Sequence, residues 1–313
     1  MLSKLAGPLL IALASILWGT DALFRFPTAE SVDPTFIVLF EHAVGTLLLL
    51  PWILFSYRGQ YTKFKPLEWL SLFVIGVGGS AFATVLFTAS FHYVNPSVSI
   101  LLQKTQPILV VLLAMIFLGE RPRPGFYGWA VLAIFAAVVI GFPDFNFTAL
   151  ANGMDMRSKG MVLALSAAAL WALATVAGKH ALKSHPFGIV TFWRYLFGLI
   201  ALIVMVCAAG QPIPNAILHG VTLAQGQGTV VIHAGTVIRA LLYISLLPGV
   251  AALLLYYAGL KLTSASVATF VELIFPVSAV ILNAVFLNQQ LYTSQIFAGI
   301  VLIFAVTRIP GRV

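Results

Sequence analysis

Ten apolar runs, each close to the length of one bilayer-spanning helix, lie along the chain with polar gaps between them. A hydrocarbon core needs about 20 such residues per helix. The pattern predicts spans near 7–26, 35–55, 68–91, 96–118 and 125–142, then 160–181, 187–209, 238–260, 264–286 and 292–308. Backbone groups in lipid must be satisfied internally, so runs of this length read as helices. The predicted fold class is an all-α integral membrane protein of ten transmembrane helices.

The two sets of five read alike. Trp18 stands in the first run, His42 eight residues after Pro34, and Gln103 four before Pro107. Trp171, Arg194 eight after Pro186, and Glu272 four before Pro276 repeat that order. Duplicating an odd number of spans inverts the second copy across the bilayer. Two inverted five-helix repeats are therefore expected, residues 1–142 and 160–313, joined by a linker at 143–159. Such repeats are a common plan of alternating-access carriers, with the substrate site near the midplane between them. Pro107 and Pro276 each remove a helical hydrogen bond inside a span, which predicts paired kinks and a hinge at each. Gly76, Gly78, Gly79 and Gly198 predict close helix approach.

Composition sharpens the class. Hydrophobic residues make up 61%, charged residues 8%, and mean hydropathy is +1.03, against about 25% charged in soluble domains. The net charge of +8 would suggest nucleic acid in a soluble protein. Here the cations gather in the gaps, so no nucleic-acid partner is expected and their role is orientation. With the N-terminus inside, Lys4, Arg58, Lys63, Lys65, Arg121, Arg123, Lys179, Lys183, Lys261, Arg308 and Arg312 face the cytoplasm. Arg25, Arg157, Lys159 and Arg239 fall outside, among Glu30, Asp33, Asp144 and Asp155. The expected location is the cell (inner) membrane with both termini cytoplasmic. Lys4 and Ala12-Leu13-Ala14 superficially resemble a cleaved signal, but the apolar run continues to Phe24 and matches the one around Trp171. Cys207 is the single cysteine, and His219 and His233 stand far apart without a carboxylate. Neither a metal nor a cofactor is expected.

Charges inside spans are costly and face cavities or partners. Asp21, Glu41, Lys104, Arg194 and Glu272 are such charges. Lys104 and Glu272 each lie about eight residues into a helix, roughly 12–15 Å deep, and are the first candidates for a substrate site. Gln103 is the repeat counterpart of Glu272. Arg194 offers a planar fork for carboxylate or phosphate, or an ion pair to Glu41 or Glu272 that fixes packing. His42 either switches charge near neutral pH or sits neutral with its hydrogen bonds made. Trp18 and Trp171, too deep for an interfacial belt, are candidate cavity walls, and Tyr256, Tyr257 and Phe270 add aromatic surface. Asp21 and Arg25, one turn apart, form either a local pair or an outer gate. Glu41, Lys104, Arg194 and Glu272 sum to zero formal charge, which suits a zwitterion such as an amino acid. A proton taken up by Glu272 or Glu41 in one conformation would make the proton a second partner.

The run Tyr93-Val-Asn-Pro-Ser-Val-Ser-Ile-Leu-Leu-Gln-Lys-Thr-Gln-Pro107, followed by Phe117-Leu-Gly-Glu120 and an apolar span, resembles the EamA-type domain of the drug/metabolite transporter superfamily. The segment from Tyr257 through Ala258, Leu260, Ser264, Ala265, Ser266, Glu272 and Pro276 to the last span resembles a second copy. The resemblance implies a ten-helix, two-repeat carrier with a central cavity, for substrates from amino acids to nucleotide sugars, sugar phosphates and drugs. His42 departs from the basic residue common at that place, which Arg194 retains, and Asn288-Gln289 stands where Gly-Glu is frequent. The leading expectation is a secondary transporter that exports small polar metabolites, amino acids or related compounds first among them. An organic-phosphate or nucleotide-sugar exchanger is the alternative within transport. In another class stands a polytopic membrane enzyme acting on a lipid-linked substrate. Short loops without a metal-like cluster weigh against that enzyme, so no enzymatic activity is expected.

Overall fold

A computed structural model describes residues 2–59, 62–118, 125–145, 155–225, 228–262 and 271–308. The chain opens with α1 (Leu2–Gly19), α2 (Asp21–Ala29) and α3 (Pro34–Ser56). Next, α4 (Pro66–Phe73) runs through a π-helical stretch, Val74–Phe82, into α5 (Ala83–Ser90). Helices α6 (Pro96–Gln103), α7 (Gln106–Leu118), α8 (Phe126–Gly141), α9 (Met156–Leu182), α10 (Phe187–Ala208) and the short α11 (Asn215–Leu218) follow. After a β-hairpin come α12 (Ala234–Ile244), a second π-helical stretch, Ser245–Ala251, and α13 (Ala252–Leu262). Helices α14 (Ile274–Phe286) and α15 (Thr293–Thr307) complete the order.

Helix starts follow local chemistry. Asp33 accepts from the Thr35 amide at 2.8 Å ahead of Pro34, Asn95 from the Ser97 amide at 2.8 Å ahead of Pro96, and Asp155 from the Ser158 amide at 2.7 Å. Each cap satisfies an amide that the first turn leaves without a partner, and proline at the first helical position sacrifices nothing there.

Seven helical runs are long and apolar enough to cross a membrane: Ala6–Ala29, Pro34–Ser56, Pro66–Ser90, Pro96–Leu113, Met156–Leu182, Phe187–Ala208 and Ala234–Gly259. Three shorter apolar helices, Phe126–Gly141, Ile274–Phe286 and Thr293–Thr307, lie where the other three spans are expected. The expected start of the ninth span, with Phe270, lies outside the described residues, as do Glu120, Arg121, Arg123 and Arg312. Large apolar side chains such as Leu47, Phe55, Ile116, Val204 and Phe286 point outward, the surface a bilayer would cover.

The helical expectation stands, with one short hairpin outside the helices. In the long polar gap, β1 (Val221–Gln225) pairs antiparallel with β2 (Gly228–Ile232), Val221 opposite Ile232. Val221, Thr222, Thr229, Val230, Val231 and Ile232 supply the β-branched residues that strands favour.

Packing is reciprocal between the halves. Helix α1 lies along α13, and α9 lies along α5 and the π-helical stretch before it. Helix α3 packs on α10, α8 on α15, α1 on α14, and α9 on α6 and α7. Both π-helical stretches fall in the middle of the third predicted span of a half. In Ser245–Ala251, Pro248 has no N–H to offer Ile244, and the register widens past it. A helix break precedes each of Pro107 and Pro276: α6 stops at Gln103 and α7 restarts at Gln106, and a turn at Glu272–Leu273 precedes α14.

One crossing positions the site. A Cβ on Gly76 would meet Phe197 Cβ at 2.5 Å, and one on Gly198 would meet His42 Cδ2 at 2.5 Å. Only glycine at these two places lets the first π-helical stretch, α3 and α10 approach as they do.

Candidate functional site

The break before α14 presents Glu272. Its Oε1 accepts the Tyr256 hydroxyl at 2.6 Å. Lys104, the residue that ends α6, holds its Nζ over the Phe275 ring, 4.5 Å from the centroid. Trp18 lies 5.2 Å from Tyr256 and 6.5 Å from Phe275, ring centre to ring centre, and Tyr256 lies 5.8 Å from Tyr257. Lys104 and Glu272 act electrostatically on each other, yet no ion pair forms between them. Among the described residues, Lys104 has no hydrogen-bond acceptor and Glu272 has no donor besides Tyr256. Both side chains are half-buried. The result is a cluster of aromatic rings with one cation and one carboxylate beside it that do not pair with each other.

A second polar group lies at the glycine crossing. His42, 2% exposed, places Nδ1 2.8 Å from the Val38 carbonyl and Nε2 2.9 Å from Ser80 Oγ. A carbonyl only accepts, so Nδ1 carries a hydrogen. Arg194 Nε donates to the same Ser80 Oγ at 3.0 Å. The repeat-related His42 and Arg194 thus meet on one hydroxyl. The His42 ring also tilts against Tyr195 at 5.1 Å. Arg194 makes no ion pair with Glu41 or Glu272, contrary to the structural pairing the sequence left open. Its terminal N–H groups have no acceptor among the described residues.

Glu41 is engaged elsewhere. Arg25, 4% exposed, donates from Nε and a terminal nitrogen to both oxygens of Asp21 at 2.6 and 3.0 Å, and to Glu41 Oε2 at 2.9 Å. A longer bond of 3.4 Å reaches Thr88. A guanidinium fork held by two carboxylates is the arrangement in which a buried charge keeps its hydrogen bonds. The pair Asp21–Arg25 is therefore part of a buried triad tying α2 to α3 and α5.

The sequence-predicted residues divide into groups. Lys104, Glu272, Trp18 and Tyr257 fall at the aromatic cluster, and His42 and Arg194 at the serine. Gln103 is half-buried with its Oε1 unpartnered. Trp171 packs on Phe87 at 5.3 Å, against the cluster that Phe275 also borders. Ser80, Tyr195, Thr88 and Phe275 escaped sequence reasoning, since each is an ordinary residue in an apolar run. Tyr195 carries one available signal, its adjacency to Arg194. Among the described residues no group of His, Cys, Asp and Glu could hold a metal ion.

Comparison with known proteins adds a family. The profile described as the EamA-like transporter family matches residues 5–142 and 158–309. The riboflavin transporter ImpX of Fusobacterium nucleatum is 29% identical, over 98% of this chain and 98% of that protein. Protein PagO of Salmonella typhimurium is 24% identical over 98% and 95% of the two chains. An uncharacterized transporter of Clostridium kluyveri is 23% identical over 95% and 90%. A solved structure described as "Crystal structure of protein" matches with a TM-score of 0.62 at 18% identity, over 96% of this chain and 94% of that one. That likeness speaks to the fold alone.

Proposed function

This chain belongs to the EamA-like transporter family, and we propose that it carries a planar aromatic heterocycle of the flavin kind by alternating access. It is an integral membrane transporter of a small molecule, not an enzyme. The reading of ten helices in two inverted repeats draws on the reciprocal packing of the halves. It draws also on two mirrored ring pairs: Trp18 on Tyr256 at 5.2 Å, and Trp171 on Phe87 at 5.3 Å. Both termini are cytoplasmic in this reading, by the distribution of Lys and Arg.

The observation that carries the substrate class is the aromatic cluster of Trp18, Tyr256, Tyr257 and Phe275 with Lys104 and Glu272 beside it and not paired with each other. Stacking surface plus a few placed polar groups is how protein sites take flat heterocycles. The name of the Fusobacterium nucleatum relative, a riboflavin transporter, supports the same class. Amino acids, the leading expectation from the sequence, become the second reading, because the separated charges of Lys104 and Glu272 also match a zwitterion. Glu272 is the better candidate for a coupling proton than Glu41, since Arg25 already holds Glu41.

Proteoliposomes loaded with riboflavin and given labelled riboflavin outside test the proposal. Counterflow that unlabelled riboflavin competes and amino acids do not is the expected result. Counterflow of amino acids with none of riboflavin would replace the first reading by the second. Rates indifferent to an imposed pH gradient would remove the proton.

A further inference from the structure

We infer that Lys104 and Glu272 together read one edge of the substrate ring, a carbonyl next to an N–H, as in a lactam or imide. The inference rests on the flavin-class reading and adds which atoms are recognised. Glu272 spends Oε1 on the Tyr256 hydroxyl, which fixes the carboxylate and leaves Oε2 able to accept. Lys104 lies over Phe275, and its N–H groups meet no acceptor among the described residues. Opposite charges in each other's field inside a membrane protein would ordinarily close into an ion pair. The two do not pair with each other, and a neutral group set between them would satisfy both: its carbonyl oxygen accepts from Lys104 while its N–H donates to Glu272.

The ring faces have their own place. Trp18 and Phe275 meet at 78° and Trp18 and Tyr256 at 50°, so the cluster offers rings for stacking and for edge contact. A zwitterion would satisfy both charges but leave these rings without a partner. In the repeat register, Phe87 and Gln103 stand where Tyr256 and Glu272 stand, so the mirrored position lacks both the hydroxyl and the carboxylate. The polar edge is therefore read from one side, and the substrate enters the site in one orientation. The pyrimidine ring of riboflavin carries such an edge, and methylation at N3 removes its donor.

Full-length protein in lipid nanodiscs, titrated with riboflavin and with N3-methylriboflavin by flavin fluorescence, tests the inference. Losing the donor and leaving a desolvated carboxylate oxygen unfilled weakens binding by roughly tenfold or more. In Glu272→Ala the two ligands are expected to bind alike. In Lys104→Met both weaken together and the ratio between them survives, because the carbonyl is present in each. Equal affinity of wild-type protein for the two ligands would overturn the edge reading while leaving the flavin class intact. So would a preference that persists in Glu272→Ala. Failure to bind either ligand would overturn both.

Discussion

Tyr256 donates its hydroxyl hydrogen to Glu272 Oε1 across 2.6 Å, from α13 to the turn that precedes α14. The bond spans a break that Pro276 creates and holds the carboxylate where the interrupted helix would otherwise leave it free. The candidate site and a helix irregularity share one place here, as in carriers whose discontinuous helices expose polar groups at depth.

Removing that hydroxyl tests the bond without emptying the aromatic cluster. Tyr256→Phe keeps the ring against Trp18 and leaves Oε1 without a donor. A hydrogen bond to a charged group contributes about 1.5–3 kcal/mol. A lower thermal midpoint and weaker ligand binding are expected. An unchanged midpoint and affinity would show that Glu272 is held by something else.

The Asp21–Arg25–Glu41 triad predicts a larger effect. Arg25→Gln strips two buried carboxylates of their common partner, and breaking such a group costs about 3–5 kcal/mol. Asp21→Asn introduced together with Arg25→Gln removes one of the stranded charges and should recover part of the loss. Thermal unfolding in detergent reads both. A double variant no more stable than Arg25→Gln would mean that Asp21 contributes nothing to the triad.

At the helix crossing, Gly198→Val forces a branched side chain into the His42 ring, whose Cδ2 already lies 2.5 Å from where a Cβ would stand. Overpacking of this kind costs about 1–3 kcal/mol. The displaced ring would give up its contact with Ser80 and leave that hydroxyl to Arg194 alone. Gly78→Val is the control, since a Cβ there meets nothing closer than Leu170 at 3.9 Å. Equal effects of the two substitutions would dismiss the crossing as a special contact.

The acid side of stability should carry a signature of Asp155. Its carboxylate accepts from the Ser158 amide at the start of α9, and the Ser158 side chain and amide together hold it below its ordinary value of 3.8. The folded state therefore binds this proton less readily than the unfolded one. Its contribution is complete above the ordinary value and is lost as pH falls through the lowered one. Asp155→Asn still caps the helix but has no proton to take up. Thermal midpoints followed from about pH 7 to about pH 3 should fall more steeply for wild type than for the variant. Parallel curves would assign the acid limb to other groups.

Much of this was legible in the residues, for identifiable reasons. Apolar length, Asp33-Pro34, Asn95-Pro96 and the capping Asp155 mark helix starts through local chemistry. The spacing from Gln103 to Pro107 and from Glu272 to Pro276 marks the helix breaks. Lys104 and Glu272 stood out because a charge in a span needs a reason. The role of Ser80 was not legible, because it depends on two glycines that let His42 and Arg194 converge on it from different helices. Nor was the removal of Glu41 into the Arg25 triad, which turns on the side-chain geometry of two helices. The β-hairpin fell in a gap whose lack of charge was visible but whose strand pattern is short.

The prolines at the two helix breaks lead to the last prediction. Pro107 lies in the first turn of α7 and Pro276 in the first turn of α14, each a few residues beyond a polar group of the site. If these breaks bend during alternating access, restoring an N–H that can bond to the preceding turn should stiffen them. Pro107→Ala and Pro276→Ala are then expected to raise thermal stability or leave it unchanged, to preserve riboflavin binding, and to slow counterflow. A substitution that merely damaged the site would weaken binding and transport together. Transport at the wild-type rate in both variants would show that the breaks are fixed shapes which present Lys104 and Glu272, with the hinges elsewhere. The separation of rate from affinity is what distinguishes a moving part from a scaffold.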